Sequence, residues 1–292
     1  MLHRLIYADW EAPPEAMAFE APLGDLMEKI HALLPGVIGG LEAALADPAT
    51  VPAPYWDDCL ALYLATPALV NVALNYKICV EQGLPLHPTH YFEVSERTRF
   101  KKKYSPARVE EANRCFLDSI AAARAVYALD PAAPGLLETY HRELPALLDG
   151  FIYVSMKDKY TWRASDPRKI QGLADQVGKA MRPAVIVGAA HGSIMSGLVF
   201  ANLMRAPLYF IRFSMFKRND AAPIIADSDR AFLEAFAAGP ALLFDEDVAK
   251  GTTLTGFAGA LKPLFQVSST ASVLRHSLSP CWPDFTGHAW ND

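Results

Sequence analysis

The chain has few cysteines. Cys59, Cys79, Cys115 and Cys281 lie far apart, with no C-x-x-C pair, a spacing that supports neither a zinc site nor a disulfide framework. An excess of positive charge is also missing. The formal net charge is −5 at pH 7, so nothing global points to nucleic acid as a partner, and only a local basic patch could recruit one. The N-terminal stretch MLHRLIYADWEAPPEA carries acids and prolines where a signal peptide keeps an apolar core. The longest apolar stretches, such as Leu60 to Ala73, are interrupted by Pro67 and fall short of a bilayer span. No internal repeat and no low-complexity tract is present. A cytoplasmic, soluble protein without a membrane partner is the expectation.

What is there divides at about residue 150. Residues 1–150 are mainly helical in pattern. Gly24 to Leu34 places apolar residues three and four apart, and Pro35-Gly36 is expected to end that helix, with another short one from Val37 to Leu45. Trp56-Asp57-Asp58 opens an apolar helical run that continues past Pro67 to about Val80. Acids at a helix N-terminus explain Asp57 and Asp58. Ser105-Pro106 starts a long helix to about Leu129, stopped by Asp130-Pro131, and Ala133 to Leu148 is one more. The run Arg97-Thr98-Arg99-Phe100-Lys101-Lys102-Lys103 could hold a phosphate, a nucleotide or RNA, but reads first as a solvated loop before a helix. His87 and His90 have no carboxylate or thiol at ligand spacing, so a turn with partly buried histidines is expected rather than a metal site.

Residues 151–292 change period. Phe151 to Val154 reads as a strand, and Asp166-Pro167 introduces a helix to about Met181. Apolar strands then alternate with helices. Ala184 to Val187 leads to a helix from Ile194, Leu208 to Phe213 to a helix near Asp229 to Ala238, and Ala241 onward to a helix from about Thr253. Val267 to Leu274 could add a strand. This alternation argues for βαβ units and a parallel sheet, hence an α/β fold preceded by a mainly helical region that could form a lid over it.

The stretch Ala241–Leu254, ALLFDEDVAKGTTL, carries the chemistry. An apolar strand runs into Asp245, Glu246 and Asp247, where open α/β sheets bind ligands. Lys250-Gly251-Thr252-Thr253 follows as a turn at a helix N-terminus, where backbone N–H groups receive anions. Carboxylates beside a phosphate cradle suggest a phosphorylated sugar. Upstream, Gly188-Ala189-Ala190-His191-Gly192-Ser193 is a loop of small residues that lets backbone approach a ligand. It fits neither the dinucleotide nor the P-loop glycine pattern.

These loops, in this order, resemble those of type I phosphoribosyltransferases over roughly residues 182–277. The resemblance implies an enzyme that binds 5-phosphoribosyl 1-diphosphate with Mg2+ and transfers its phosphoribosyl group to a small-molecule acceptor. It implies that Asp245 and Glu246 bind the ribose hydroxyls, directly or through water and Mg2+. Ala249, Lys250, Gly251, Thr252 and Thr253 would form the phosphate turn, and Ala190, His191, Gly192 and Ser193 would face pyrophosphate. Lys217 and Arg218, in the segment after the second core strand, become candidates to contact pyrophosphate from a closing loop. His191 stays open between a base, a pyrophosphate ligand and a structural role.

The pattern also departs from the family. Asp247 makes the acidic motif D-E-D, an atypical branch, and is grouped with Asp245 and Glu246 as a catalytic acid. Lys250 stands where a small or hydroxyl residue is usual. Ala249 stands where purine-using members carry a catalytic Asp, which weighs against hypoxanthine or guanine as acceptor. A non-catalytic regulator that senses phosphoribosyl diphosphate or a nucleotide is the alternative. A homodimer is compatible with the sequence, and nucleic acid is not expected.

Overall fold

Burial decides where the helices of the first half run. The computed structural model describes residues 1–290, apart from the side chains of Phe216 and Lys217. Helix α1, Leu23–Ala46, runs straight through Pro35-Gly36, so the expected break is not there. Pro35 and Gly36 are exposed, while Ile30, Leu34 and Val37 keep one face buried on both sides of them. Tertiary packing overrides the local stop signal. Helices α2, Ala53–Ala65, and α3, Pro67–Glu81, follow almost end to end, with Pro67 at the first turn of α3, where its missing N–H is harmless. Helix α2 starts before Trp56, so Asp57 and Asp58 sit beyond its first turn. The short helix α4, Arg97–Phe100, carries the exposed basic run. His87 and His90 are exposed, not partly buried.

Helix α5, Pro106–Ala128, begins where Ser105 accepts a hydrogen bond from the Arg108 N–H, as a cap should. Helix α6, Ala133–Glu143, ends earlier than the sequence suggests, and a 3-10 turn takes over at Ala146–Gly150. Two helical stretches, Leu23–Ala46 and Ala53–Glu81, are long and apolar enough to cross a membrane, although Pro67 was expected to shorten the second. In Ala53–Glu81, 83% of the apolar window is buried inside the protein.

Two strands, β1 at Phe19–Pro22 and β2 at Ile152–Ser155, pair antiparallel and tie the start of the chain to its second half. Helices α7, Lys159–Arg163, and α8, Pro167–Ala180, come next, with Asp158 and Asp166 as their caps. The main sheet is parallel, in the order β4-β3-β5-β6-β7. Its strands are β3, Val185–Ala190; β4, Leu208–Arg212; β5, Pro240–Val248; β6, Val267–His276; and β7, Phe285–Trp290. Every residue of β3 and β4 is buried, as continuous apolar runs in a parallel sheet should be.

Connecting the strands are α9, Ile194–Met204; α10, Met215–Arg218; α11, Asp227–Glu234; and α12, Thr252–Leu261. With a strand period of two, Phe210 and Phe244 face Gly197 and Phe200 of α9, and Phe213 faces Gly256 of α12. The α/β class and the helical N-terminal region are as the sequence implied. Strand β7, formed by the aromatic tail, is an addition. One continuous core joins α1, α2, α3 and α5 to β3, β4 and β5.

Candidate active site

Strand order reverses beside β3, whose neighbours β4 and β5 lie on opposite sides. In open parallel sheets the crevice at such a point, outside the carboxyl ends of the strands, is where ligands bind. A cleft of about 750 Å³ opens there. Its floor brings together His191 and Gly192 after β3, Asp245, Glu246 and Asp247 at the end of β5, and Ala249 to Thr253 at the start of α12. The three sequence segments therefore meet in one cavity.

Glu246 lies directly over Gly192. A Cβ added at Gly192 would come within 1.9 Å of Glu246 Oε1, so glycine is what lets the Glu246 carboxylate lie against this loop. The Glu246 N–H donates to Asp245 Oδ1 at 3.1 Å. Glu246 Oε2 is buried without a hydrogen-bond partner among the described residues. Burial pushes the Asp245 carboxyl up to about 7; the nearby Asp247 charge adds to this, and hydrogen bonding with Glu246 opposes it. Burial, followed by the charge of Asp245, raises Glu246 well above the carboxylate range. Two acids so close and so poorly solvated titrate as a pair, and both are held towards the protonated form. A bound cation would release their protons.

Asp247 behaves differently. It accepts from His276 Nε2 at 3.0 Å, and the His276 ring meets Trp290 of β7 edge-on, with centroids 4.8 Å apart. The third acid is thus anchored to the next strand.

Gly251 caps α12 with φ of +75° and no side-chain cap, which leaves the first N–H groups of that helix for a ligand. Cys281 of the C-terminal tail lies against this turn, because a Cβ at Gly251 would come within 2.0 Å of Cys281 Cβ. Arg275 holds the tail there by donating to the carbonyls of Cys281, at 2.9 Å, and Ser279. The tail therefore both extends the sheet and braces the turn.

Two of the expected loop residues do not face the cleft. Ala190 is fully buried at the end of β3, its carbonyl accepting from the Phe213 N–H at 3.0 Å. Ser193 is also fully buried, its hydroxyl donating to the Ala189 carbonyl at 2.7 Å. Arg218 lines the cleft, but is ion-paired with Glu93 at 2.7 Å and lies over the Tyr91 ring. The side chain of Lys217 lies outside the described residues.

Other cleft residues were not anticipated at all. Asn71 and Asn75 of α3, Tyr91, Tyr153 and Tyr160 line its far wall. The two asparagines carried a signal, since amides are out of place in so apolar a helix. Of the tyrosines, Tyr91 stands near the basic run that could hold a phosphate or nucleotide, and Tyr153 and Tyr160 carried no signal.

Neither a protein-family model nor a curated protein matches the chain. Several solved structures are similar to it. A purine phosphoribosyltransferase from Pyrococcus horikoshii Ot3 has a TM-score of 0.35 and 19% identity, over 43% of this chain and 83% of that one. A Neisseria gonorrhoeae protein with bound ppGpp has a TM-score of 0.36 and 15% identity, over 44% and 80%. A hypoxanthine phosphoribosyltransferase from Staphylococcus aureus has a TM-score of 0.34 and 17% identity, over 43% and 76%.

Proposed function

We propose that the protein binds 5-phosphoribosyl 1-diphosphate and transfers its phosphoribosyl group to a small-molecule acceptor. The observation that carries this reading is the one cleft in which the Asp245–Glu246 pair lies between the Gly192 loop and the uncapped start of α12. Breaking the anomeric C–O bond builds positive charge on the ribose and negative charge on pyrophosphate, so the demand on the protein is electrostatic. The N–H groups of Thr252 and Thr253, with Lys250 beside them, suit the 5′-phosphate. Asp245 and Glu246 suit the ribose hydroxyls, and the backbone at His191 and Gly192 suits pyrophosphate. Asp247, anchored by His276, acts through its charge, which favours proton retention on Asp245.

Among the described residues no three His, Cys, Asp or Glu side chains form a metal cage. Mg2+ needs none, since it binds through one or two carboxylates together with water and substrate phosphates. The paired acids and the unpartnered Glu246 Oε2 fit such an ion, which would neutralise the departing pyrophosphate.

Calorimetry with 5-phosphoribosyl 1-diphosphate should show Mg2+-dependent binding to the wild-type chain, and a panel of acceptors should release pyrophosphate. Binding without release from any acceptor would favour a sensor, and no binding would sink the reading. Gly192→Ala probes the same arrangement. The atom its Cβ meets is the end of a flexible side chain, so the fold should hold to within about 1 kcal/mol. Displacing the Glu246 carboxylate by about 1 Å should lower affinity for the phosphosugar by up to about a hundredfold, measured by the same titration.

A further inference from the structure

Helix α3 is apolar along most of its length, yet Pro67, Asn71 and Asn75 recur every four residues and line the cleft as one stripe. Asn75 Nδ2 donates to Asn71 Oδ1 at 2.9 Å. Asn75 is 3% exposed, and its Oδ1 is buried without a hydrogen-bond partner among the described residues. Oxygen and nitrogen of an amide are assigned from their bonding. With both amides turned over, the atom left without a partner is Asn75 Nδ2 instead. Either way one polar atom of Asn75 is unsatisfied, a desolvation penalty that a ligand's hydrogen bond would remove.

The neighbours say what kind of ligand. Tyr91 and Tyr153 offer ring surface, and the Tyr91 hydroxyl is engaged, donating to the Ile152 carbonyl at 2.9 Å. The cleft carries the carboxylates Asp158, Asp245, Glu246 and Asp247 against the cations Arg218 and Lys250. Arg218 is paired with Glu93 at 2.7 Å, and Lys250 belongs to the phosphate turn. Among the described residues, a second anion entering this cleft would find carboxylates and, away from the turn, only the Arg218 guanidinium already paired with Glu93.

We propose that the Asn71–Asn75 pair of α3 selects the acceptor, and that the acceptor is an uncharged planar ring with an amide edge, an N–H beside a C=O. Such an edge bonds an asparagine amide in two places, donor to acceptor and acceptor to donor. Selectivity then comes from the helical N-terminal region rather than from the parallel sheet. The word acceptor rests on the phosphoribosyl reading above; the amide-binding site does not.

The test titrates the full chain with uracil and nicotinamide, and with their anionic counterparts orotate and nicotinate. Each titration is run with and without 5-phosphoribosyl 1-diphosphate and Mg2+. At least one neutral probe should bind the wild type at least tenfold more tightly than its anion. Asn75→Leu, which suits the apolar helix, should weaken that probe about tenfold and leave phosphoribosyl-diphosphate affinity within twofold. Asn75→Ser serves the same comparison should the leucine variant unfold. The proposal is overturned if neither neutral probe binds, if the anions bind equally well, or if the folded variant binds as the wild type does. Neutral probes behaving as expected while phosphoribosyl diphosphate binds no form of the protein would sink the phosphoribosyl reading and leave the amide site standing.

Discussion

Lys77→Ala is expected to destabilise the fold by about 3–5 kcal/mol, because it strands buried carboxylates without their cation. Lys77 is 1% exposed in α3, and its ammonium lies 2.7 Å from Glu81 and 2.6 Å from Asp229. Tyr209 of β4 donates to the same Asp229 oxygen at 2.6 Å, and Ser228 donates to Glu81. One ammonium therefore joins the helical region to α11 and the sheet. At roughly 2–4 °C per kcal/mol for a chain approaching this size, thermal unfolding should fall by about 10 °C. Replacing all three charges together, as Lys77→Met with Glu81→Gln and Asp229→Asn, should recover much of the loss, since no uncompensated charge then remains. A Lys77→Ala variant within about 1 kcal/mol of wild type by chemical denaturation would show that the cluster does not join the two halves.

That cluster also marks how far the sequence could be read. Lys77 is the one charged residue between Asp58 and Glu81, and an isolated lysine in an apolar helix signals a buried partner. Glu81 was visible one turn away, but Asp229 lies 152 residues along the chain, beyond any local pattern. The cleft divides in the same way. Asp245, Glu246, Gly192 and the Lys250–Thr253 turn were legible because strand, turn and helix start are written in adjacent residues. Ala190 and Ser193 were placed in the loop with them, yet β3 runs on to Ala190 and the Ser193 hydroxyl turns back to that strand. The far wall depends on how α3 docks over the sheet, and local spacing does not encode docking. Strand β7 was hidden for another reason. Residues 277–284 are a short, proline-interrupted link, where a parallel connection is normally long and helical.

Asp245→Asn with Glu246→Gln should move stability and binding in opposite directions. Both carboxyls hold their protons more tightly in the folded chain than in the unfolded one, Asp245 to about 7 and Glu246 well above the usual carboxylate range. The folded state therefore binds more protons, and the pair's contribution is fully present below the unfolded carboxylate values near 4. It is lost as pH rises through about 7. Neutral amides of the same shape have no such dependence. The double variant should be more stable than wild type at pH 8, and this advantage should shrink steadily towards pH 5. Denaturant titrations across that range measure it directly. Over the same range, affinity for 5-phosphoribosyl 1-diphosphate with Mg2+ should fall at least a hundredfold, the loss of about 3 kcal/mol expected when charge-assisted bonds go. A pair kept only to hold the fold could not show gained stability with lost binding, whereas acids retained for a ligand should show both. Unchanged affinity in the folded double variant would remove Asp245 and Glu246 from the site. A flat stability difference between pH 5 and pH 8 would show that the two acids are not held towards the protonated form.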